Sequence, residues 1–324
     1  MDETPKPGVR GNGVLLILGP TASGKSRLAI EAAKRFDGII INADSMQVYR
    51  DLRLITARPS AADEREAPHR LYGFMDAAET CSAARWAALA KAEIDAARRA
   101  GRLPIIVGGS GLYVRALLEG FSPIPDVGEM HRQQAAGMLK KLGNAAFHAR
   151  LAERDPETAA RLNPGDSQRM VRAMEVWFAT GRPLSHFQML PPEPPLLDGP
   201  ALKVVLMPDR AALYERCDRR FEQMIHDGAM DEVMALAARG LDPDLPAMKA
   251  LGVKQLIAAG RGDLLLEQAV ADAQTGTRRY AKRQMTWLRH QIVADVIDDA
   301  QDLERMTANI FPKVSEFRLT SPGA

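Results

Sequence analysis

The sequence predicts an α/β protein, a P-loop NTPase-like parallel sheet flanked by helices, with a helical insertion domain. Three observations carry this. An apolar run at 14–18 enters the octet GPTASGKS at 19–26 and then a helical pattern. Further apolar runs at 38–44, 103–107 and 201–206 alternate with helix-length stretches, as parallel strands joined by crossover helices do. Between the third and fourth runs, residues 121–198 break the alternation with several short helical patterns. They close in QMLPPEPPLLDGP, which cannot be a helix interior.

The whole chain bounds the answer. Its 324 residues are 46% hydrophobic and 26% charged, enough apolar surface for a large core and too little net charge for disorder. A formal charge of +2 does not announce a nucleic-acid binder, so any polyanion site must rest on local patches. Cys81 and Cys217 form no C-x-x-C pair, which speaks against structural zinc and fits a reducing compartment. The polar start MDETPKPGVRGNG lacks a signal core, and VLLILG is too short to span a bilayer. A cytoplasmic protein without a membrane segment is expected.

Each element then has its reason. The octet supplies the fixed Gly19, Gly24, Lys25 and Ser26 of a phosphate loop, with Pro20, Thr21, Ala22 and Ser23 between them. Leu28, Ala29, Ala32, Ala33 and Phe36 then recur at helical spacing. Backbone N–H groups at such a turn bind phosphate oxygens whatever carries them, Lys25 adds a point charge, and Ser26 can ligate magnesium. ATP or GTP is the usual ligand; another diphosphate is served equally well.

The second run, GIIINAD, delivers Asp44 to its carboxyl end, where it can hold a metal, cap a helix or take a proton. A helix follows over 81–100, with Thr80 or Cys81 near its start and Gly101 after its end. The third run enters Gly108-Gly109-Ser110-Gly111 with no acid, which leaves Asp44 as the available carboxylate. After the fourth run, Leu213, Cys217, Phe221 and Met224 make one helix face, with Arg216, Arg219 and Arg220 around the rest.

Near the C-terminus, RRYAKRQMTWLRH carries Arg278, Arg279, Lys282, Arg283 and Arg289 with no acid. Thr277, Ala281, Gln284 and Leu288 share one helix face, while Arg279, Lys282, Arg283 and Thr286 share another. A cationic face with aromatic residues suits RNA phosphates and a stacked base; a plain solvated helix face is the alternative. A second basic spot, QRMVR, opens a helix over 168–178.

In order and spacing, GPTASGKS, NADSMQVY (42–49), APHRLYG (67–73), VGGSGLY (107–113) and AKRQMTWLR (281–289) resemble the tRNA dimethylallyltransferases, also called tRNA isopentenyl transferases. Weaker echoes are LEGFSPIP, DSQRMVRAMEV and RFEQMI, and the likeness runs from about residue 14 to about 290. The resemblance implies transfer of the dimethylallyl unit of dimethylallyl diphosphate to N6 of the adenosine 3′ of the anticodon, in tRNAs reading codons that begin with U. It implies that Gly19 to Ser26 hold the donor diphosphate rather than ATP, and that Mg2+ assists through Ser26. Asp44 looks like the general base on N6, and Ser110 and Arg220 like further catalytic or diphosphate contacts.

With the two basic stretches, the expected tRNA contacts are Asp44, Ser45, Met46, Gln47 and Ser110 at the strand ends, and Gln168, Arg169, Met170, Val171 and Arg172 in the insertion. Lys249, Gly252, Lys254, Arg279, Lys282, Arg283, Gln284, Trp287 and Arg289 complete them. The expected organisation is a catalytic core of residues 1–120 plus 199–324, an insertion of 121–198 that clasps the anticodon stem-loop, and a monomer.

Three departures from the family pattern stand out. RDLRLITARP has Arg58 where a lysine is usual and lacks a glycine-rich run; Val253 and Lys254 replace tyrosine and arginine; Ser110 replaces threonine. Two other readings compete: a P-loop kinase or prenyltransferase acting on a small acceptor, and an ATP-gated RNA-binding module without transfer chemistry.

Overall fold

The computed structural model describes residues 12–321. The opening segment 1–11, where the absent signal core was read, and residues 322–324 lie outside that range. The chain divides into two compact units, Leu118–Leu196 and the remainder on either side of it.

In the larger unit, β1 (Val14–Leu18) leads through the glycine turn into α1 (Lys25–Phe36), and β2 is Gly38–Ala43. A short α2 (Ala61–Glu66) precedes β3 (His69–Arg70), α3 (Ala83–Arg99) and β4 (Leu103–Gly108). Ser82, rather than Thr80 or Cys81, caps α3: its hydroxyl accepts the Arg85 N–H at 3.1 Å. The predicted α1 residues Leu28, Ala29, Ala32, Ala33 and Phe36 are all buried against the sheet. Helix α4 (Gly111–Glu119) leads out of this unit.

The smaller unit is helical. Helix α5 (Glu129–Ala152) is longer than the short patterns predicted, yet it breaks at Gly143, whose φ of 72° is open to glycine at little cost. Helices α6 (Pro156–Arg161), α7 (Ser167–Thr180) and α8 (Leu184–Met189) close around Phe147, Leu151, Met170, Met174 and Phe187. Asp155 is buried there, which alone would raise its pKa, but hydrogen bonds from Thr158 and Ser185 override that and hold it down. The carboxylate thus ties the start of α6 to α8.

The chain returns through β5 (Ala201–Leu206), α9 (Arg210–His226), α10 (Ala229–Ala238) and α11 (Val253–Gly260). The long α12 (Leu266–Gln291), β6 (Val296–Asp298) and α13 (Leu303–Thr320) finish it. The six strands are all parallel, in the order β3-β2-β4-β1-β5-β6. The short edge strands β3 and β6 had no sequence signal. Strands β1, β2 and β4 are buried throughout, which is why they read as continuous apolar runs rather than alternating ones.

Register fixes the site. Gly108 pairs with Leu18 on one side and Ala43 on the other. The next residues, Gly19, Asp44 and Gly109, therefore emerge side by side on one rim, the carboxyl edge where parallel sheets place ligands.

Candidate active site

The phosphate loop owes its shape to two left-handed residues, Ala22 (φ 62°) and Gly24 (φ 91°). Gly24 stands at the N-cap of α1 with no side-chain cap, and the first turn holds no acid. The helix N–H groups and positive dipole end are thus left for an anion. Ser23 Oγ is buried without a hydrogen-bond partner, an orphan hydroxyl inside the loop.

Two cations face this cradle. Lys25 Nζ reaches the Pro20 carbonyl at 3.1 Å, and burial, eased by Asp44 and reinforced by Arg220, lowers its pKa to about 8. Arg220, on α9, donates through Nη2 to Thr21 Oγ1; its Nε is buried and unpartnered, and burial lowers its pKa. Among the described residues no carboxylate sits at ion-pair distance from either. Two partly buried cations without a carboxylate partner, beside an open helix N-terminus, are costly unless an anion completes them.

Asp44 is held from its own neighbours. Its N–H donates to Asn42 Oδ1 at 2.8 Å, and its Oδ1 accepts the Met46 N–H at 2.9 Å. Asn42 is itself fixed, donating to the Asp44 and Leu71 carbonyls, while its own carbonyl accepts Trp86 Nε1–H at 2.8 Å. Oδ2 makes none of these bonds and Asp44 lines a cavity. Ser110 Oγ accepts the Ser45 N–H at 2.9 Å and stands 3.2 Å from Ser45 Oγ, so it braces the turn that carries Asp44.

Thr21, Asp44 and Arg220 line a cavity of about 270 Å3. Met46, Ile55, Phe221, Met224 and Leu251 form its apolar wall. Tyr280 and Arg283 of α12 line it too, and the Tyr280 hydroxyl is pushed above its usual range by burial and by Asp44. Lined by cationic and by apolar side chains, the space suits an alkyl diphosphate.

A family model described as IPP transferase matches residues 47–291. The tRNA dimethylallyltransferase of Rhodospirillum centenum is 57% identical over 281 residues, 87% of this chain and 90% of that protein. This chain belongs to the IPP transferase family, the tRNA dimethylallyltransferases. The full-length tRNA isopentenylpyrophosphate transferase of Bacillus halodurans superposes with a TM-score of 0.67 at 32% identity, covering 94% of this chain and 96% of that one. A eukaryotic dimethylallyltransferase acting on tRNA gives 0.77 at 27% identity, covering 94% and 79%.

Within this IPP transferase, the other expected site residues divide. Arg279, Lys282 and Arg283 are exposed on α12 and line a groove with Thr286 and Trp287. Arg289 is exposed as well, but Arg278 is spent on Asp218 at 2.6 Å. Lys249 is exposed, pairs with Asp244 at 2.9 Å and also lines the cavity; Lys254 is exposed on α11. Gly252 is buried with φ 89°, capping α11, and contributes backbone alone. In the smaller unit, Gln168 and Arg169 are exposed at the start of α7, Val171 is half-buried, and Arg172 pairs with Glu175.

Three expected RNA contacts have other work. Met170 is fully buried in the helical unit's core. Gln47 Nε2 donates to the Thr56 and Ala57 carbonyls and holds that loop. Gln284 is buried, with its amide joining the Thr21 N–H to the Gly109 carbonyl. Its helical spacing with Thr277, Ala281 and Leu288 already placed it on the inward face. Sequence reasoning missed Ile55, Phe221, Met224 and Tyr280, whose convergence only the fold creates. Among the described residues no helix is long and apolar enough to cross a membrane.

Proposed function

We propose that this IPP transferase moves the dimethylallyl group of dimethylallyl diphosphate to N6 of the adenosine 3′-adjacent to the anticodon, in tRNAs reading codons that begin with U. The single observation that carries the reading is one cavity lined together by Asp44, by Arg220 and Thr21 of the phosphate cradle, and by an apolar wall. Gly19 to Ser26 and Arg220 hold the diphosphate, and the apolar wall holds the five-carbon chain. The orphan Ser23 Oγ and Arg220 Nε are donors an entering diphosphate satisfies.

The N6 nitrogen bonds to the allylic carbon as the bond from that carbon to the diphosphate oxygen breaks. The electron pair leaves with the diphosphate, and the proton on nitrogen passes to Asp44. Lys25 and Arg220 stabilise charge that grows on the leaving group, so they act more strongly in the transition state than before it. The acceptor adenine must leave its stack to reach a carboxylate that lines a cavity.

Magnesium fits this donor set. Among the described residues no three His, Cys, Asp or Glu gather as a cage, and a magnesium ion carried on a diphosphate needs few protein ligands. Ser26, exposed in the first turn of α1, would hold it, and when bound it neutralises the leaving diphosphate.

The exposed cations of α12 supply phosphate contacts for the anticodon stem-loop, and Gln168 and Arg169 supply more from the helical insertion. We read the enzyme as a cytoplasmic monomer with its two cysteines free. Purified protein given labelled dimethylallyl diphosphate and magnesium should label bulk tRNA. Label on free AMP instead, or phosphate transfer from ATP, overturns the assignment in favour of a small-acceptor enzyme or a kinase.

A further inference from the structure

The departure at 50–58 has a structural counterpart on a distant helix. Glu232, in the first turn of α10, turns its carboxylate onto three successive backbone N–H groups. Arg53 donates at 2.7 Å, Leu54 at 2.8 Å to Oε2 and 3.1 Å to Oε1, and Ile55 at 3.0 Å. Consecutive amides converging on one anion form a nest, ordinarily a site for a bound phosphate or carboxylate. Here the anion is the protein's own, and among the described residues no Lys or Arg lies at ion-pair distance from it. The charge of Glu232 is answered by this loop.

The loop it grips is the wall of the cavity. Ile55 and Thr56 line the cavity, and Ile55 Cδ1 and the Phe221 ring both lie against Gly252. Gln47 holds the same loop from the other side through the Thr56 and Ala57 carbonyls, at 2.8 and 3.0 Å. Arg58 Nη1 closes its base on the Tyr49 and Arg50 carbonyls, at 3.0 and 3.1 Å. The loop has no glycine, and Glu232, Gln47 and Arg58 hold its backbone groups in one conformation.

We infer that Glu232 is a positioning residue for prenyl transfer: by clamping Arg53 to Ile55 it fixes the wall against which the hydrocarbon part of the donor lies. It touches neither the diphosphate nor the acceptor and acts through Ile55. The inference rests on the proposed donor site, and it separates the two halves of the donor. Loosening the clamp weakens recognition of the alkyl chain while the phosphate cradle, some 30 residues earlier in the sequence, is untouched.

E232Q keeps the shape but places an N–H donor against N–H donors. With the full-length protein, KM for dimethylallyl diphosphate should rise about tenfold, as loss of charge-assisted bonds to a backbone nest implies. Inhibition by inorganic pyrophosphate, which occupies the cradle alone, should be unchanged. Amide exchange at residues 53–55 should be slow in the parent and at least about tenfold faster in the variant. The inference is overturned by an unchanged KM, by pyrophosphate inhibition weakening in step with KM, or by fast exchange of these amides in the parent itself. That last measurement needs no catalysis and decides the clamp even if E232Q fails to fold. A parent that transfers no prenyl group while these amides stay protected removes the donor reading and leaves the clamp standing.

Discussion

Gln284 Oε1 accepts the Thr21 backbone N–H at 2.8 Å. The amide nitrogen of the same side chain donates to the Gly109 carbonyl at 2.9 Å, so one residue of the basic helix ties the phosphate loop to the third-run glycine turn. Gln284→Ala leaves both backbone groups without this partner, at a cost of about 1–3 kcal/mol for each orphaned group. Calorimetric melting should show a clear fall, with donor affinity reduced and tRNA affinity little changed. Weakened tRNA binding at an unaltered melting temperature would return Gln284 to the RNA interface.

Lys25 gives a pH signature. Its folded pKa of about 8 lies below the ordinary 10.5, so between those values the unfolded chain binds more protons than the folded one. Stability of the free protein therefore rises with pH across that window as the buried ammonium discharges. Donor binding runs the opposite way, because the diphosphate needs the ammonium. Affinity for dimethylallyl diphosphate should fall as pH passes about 8, and Lys25→Ala should bind more weakly at neutral pH and lose that inflection. Titration of both proteins from neutral to alkaline pH checks it.

Asp44→Asn preserves shape and removes basicity. General-base assistance is worth about 10²- to 10⁴-fold, so single-turnover transfer should slow at least about 100-fold with donor and tRNA affinities near normal. The Met46 N–H can still be accepted by an asparagine oxygen, and the melting curve should barely move. Transfer within about threefold of the parent would leave Asp44 a turn-forming residue only.

Arg279 and Arg283 are exposed and without carboxylate partners among the described residues, although Arg283 lies 5.6 Å over the Tyr280 ring. Replacing both with alanine should raise the tRNA dissociation constant and make its dependence on salt shallower, by roughly 0.7–0.9 in log–log slope per lost phosphate contact. Because Arg283 also lines the donor cavity, Arg279→Ala alone is the cleaner probe of the RNA face. An unchanged slope in the double variant would reduce α12 to an ordinary solvated helix.

Much of this was legible in the chain, and the remainder has physical reasons for being hidden. The runs 14–18 and 201–206 became β1 and β5 as read, β1 because every residue of it is buried and apolar, β5 because only Lys203 interrupts its apolar run. Leu213, Cys217, Phe221 and Met224 are the buried residues of α9, as helical spacing requires. Edge strands of two and three residues, β3 and β6, are too short to impose any period. Glu232 was invisible for another reason: its partners lie 177 to 179 residues away, and nothing local distinguishes it from any acid in a first turn. Charge type misled at Arg278, where a neighbouring helix supplies Asp218.

The glycine turn after β4 has a consequence for descent. A side chain at Gly111 would strike the Trp287 ring, one at Gly109 would strike Gln284 and the Gly19 carbonyl, and one at Gly108 would strike the Ala43 backbone. Positions 111 and 287 therefore share one allotment of volume, although more than 170 residues separate them. Among related chains a larger residue at 111 should travel with a smaller ring at 287. Positions 108 and 109 have no such licence, since backbone cannot be traded away, and drift there should be halted altogether.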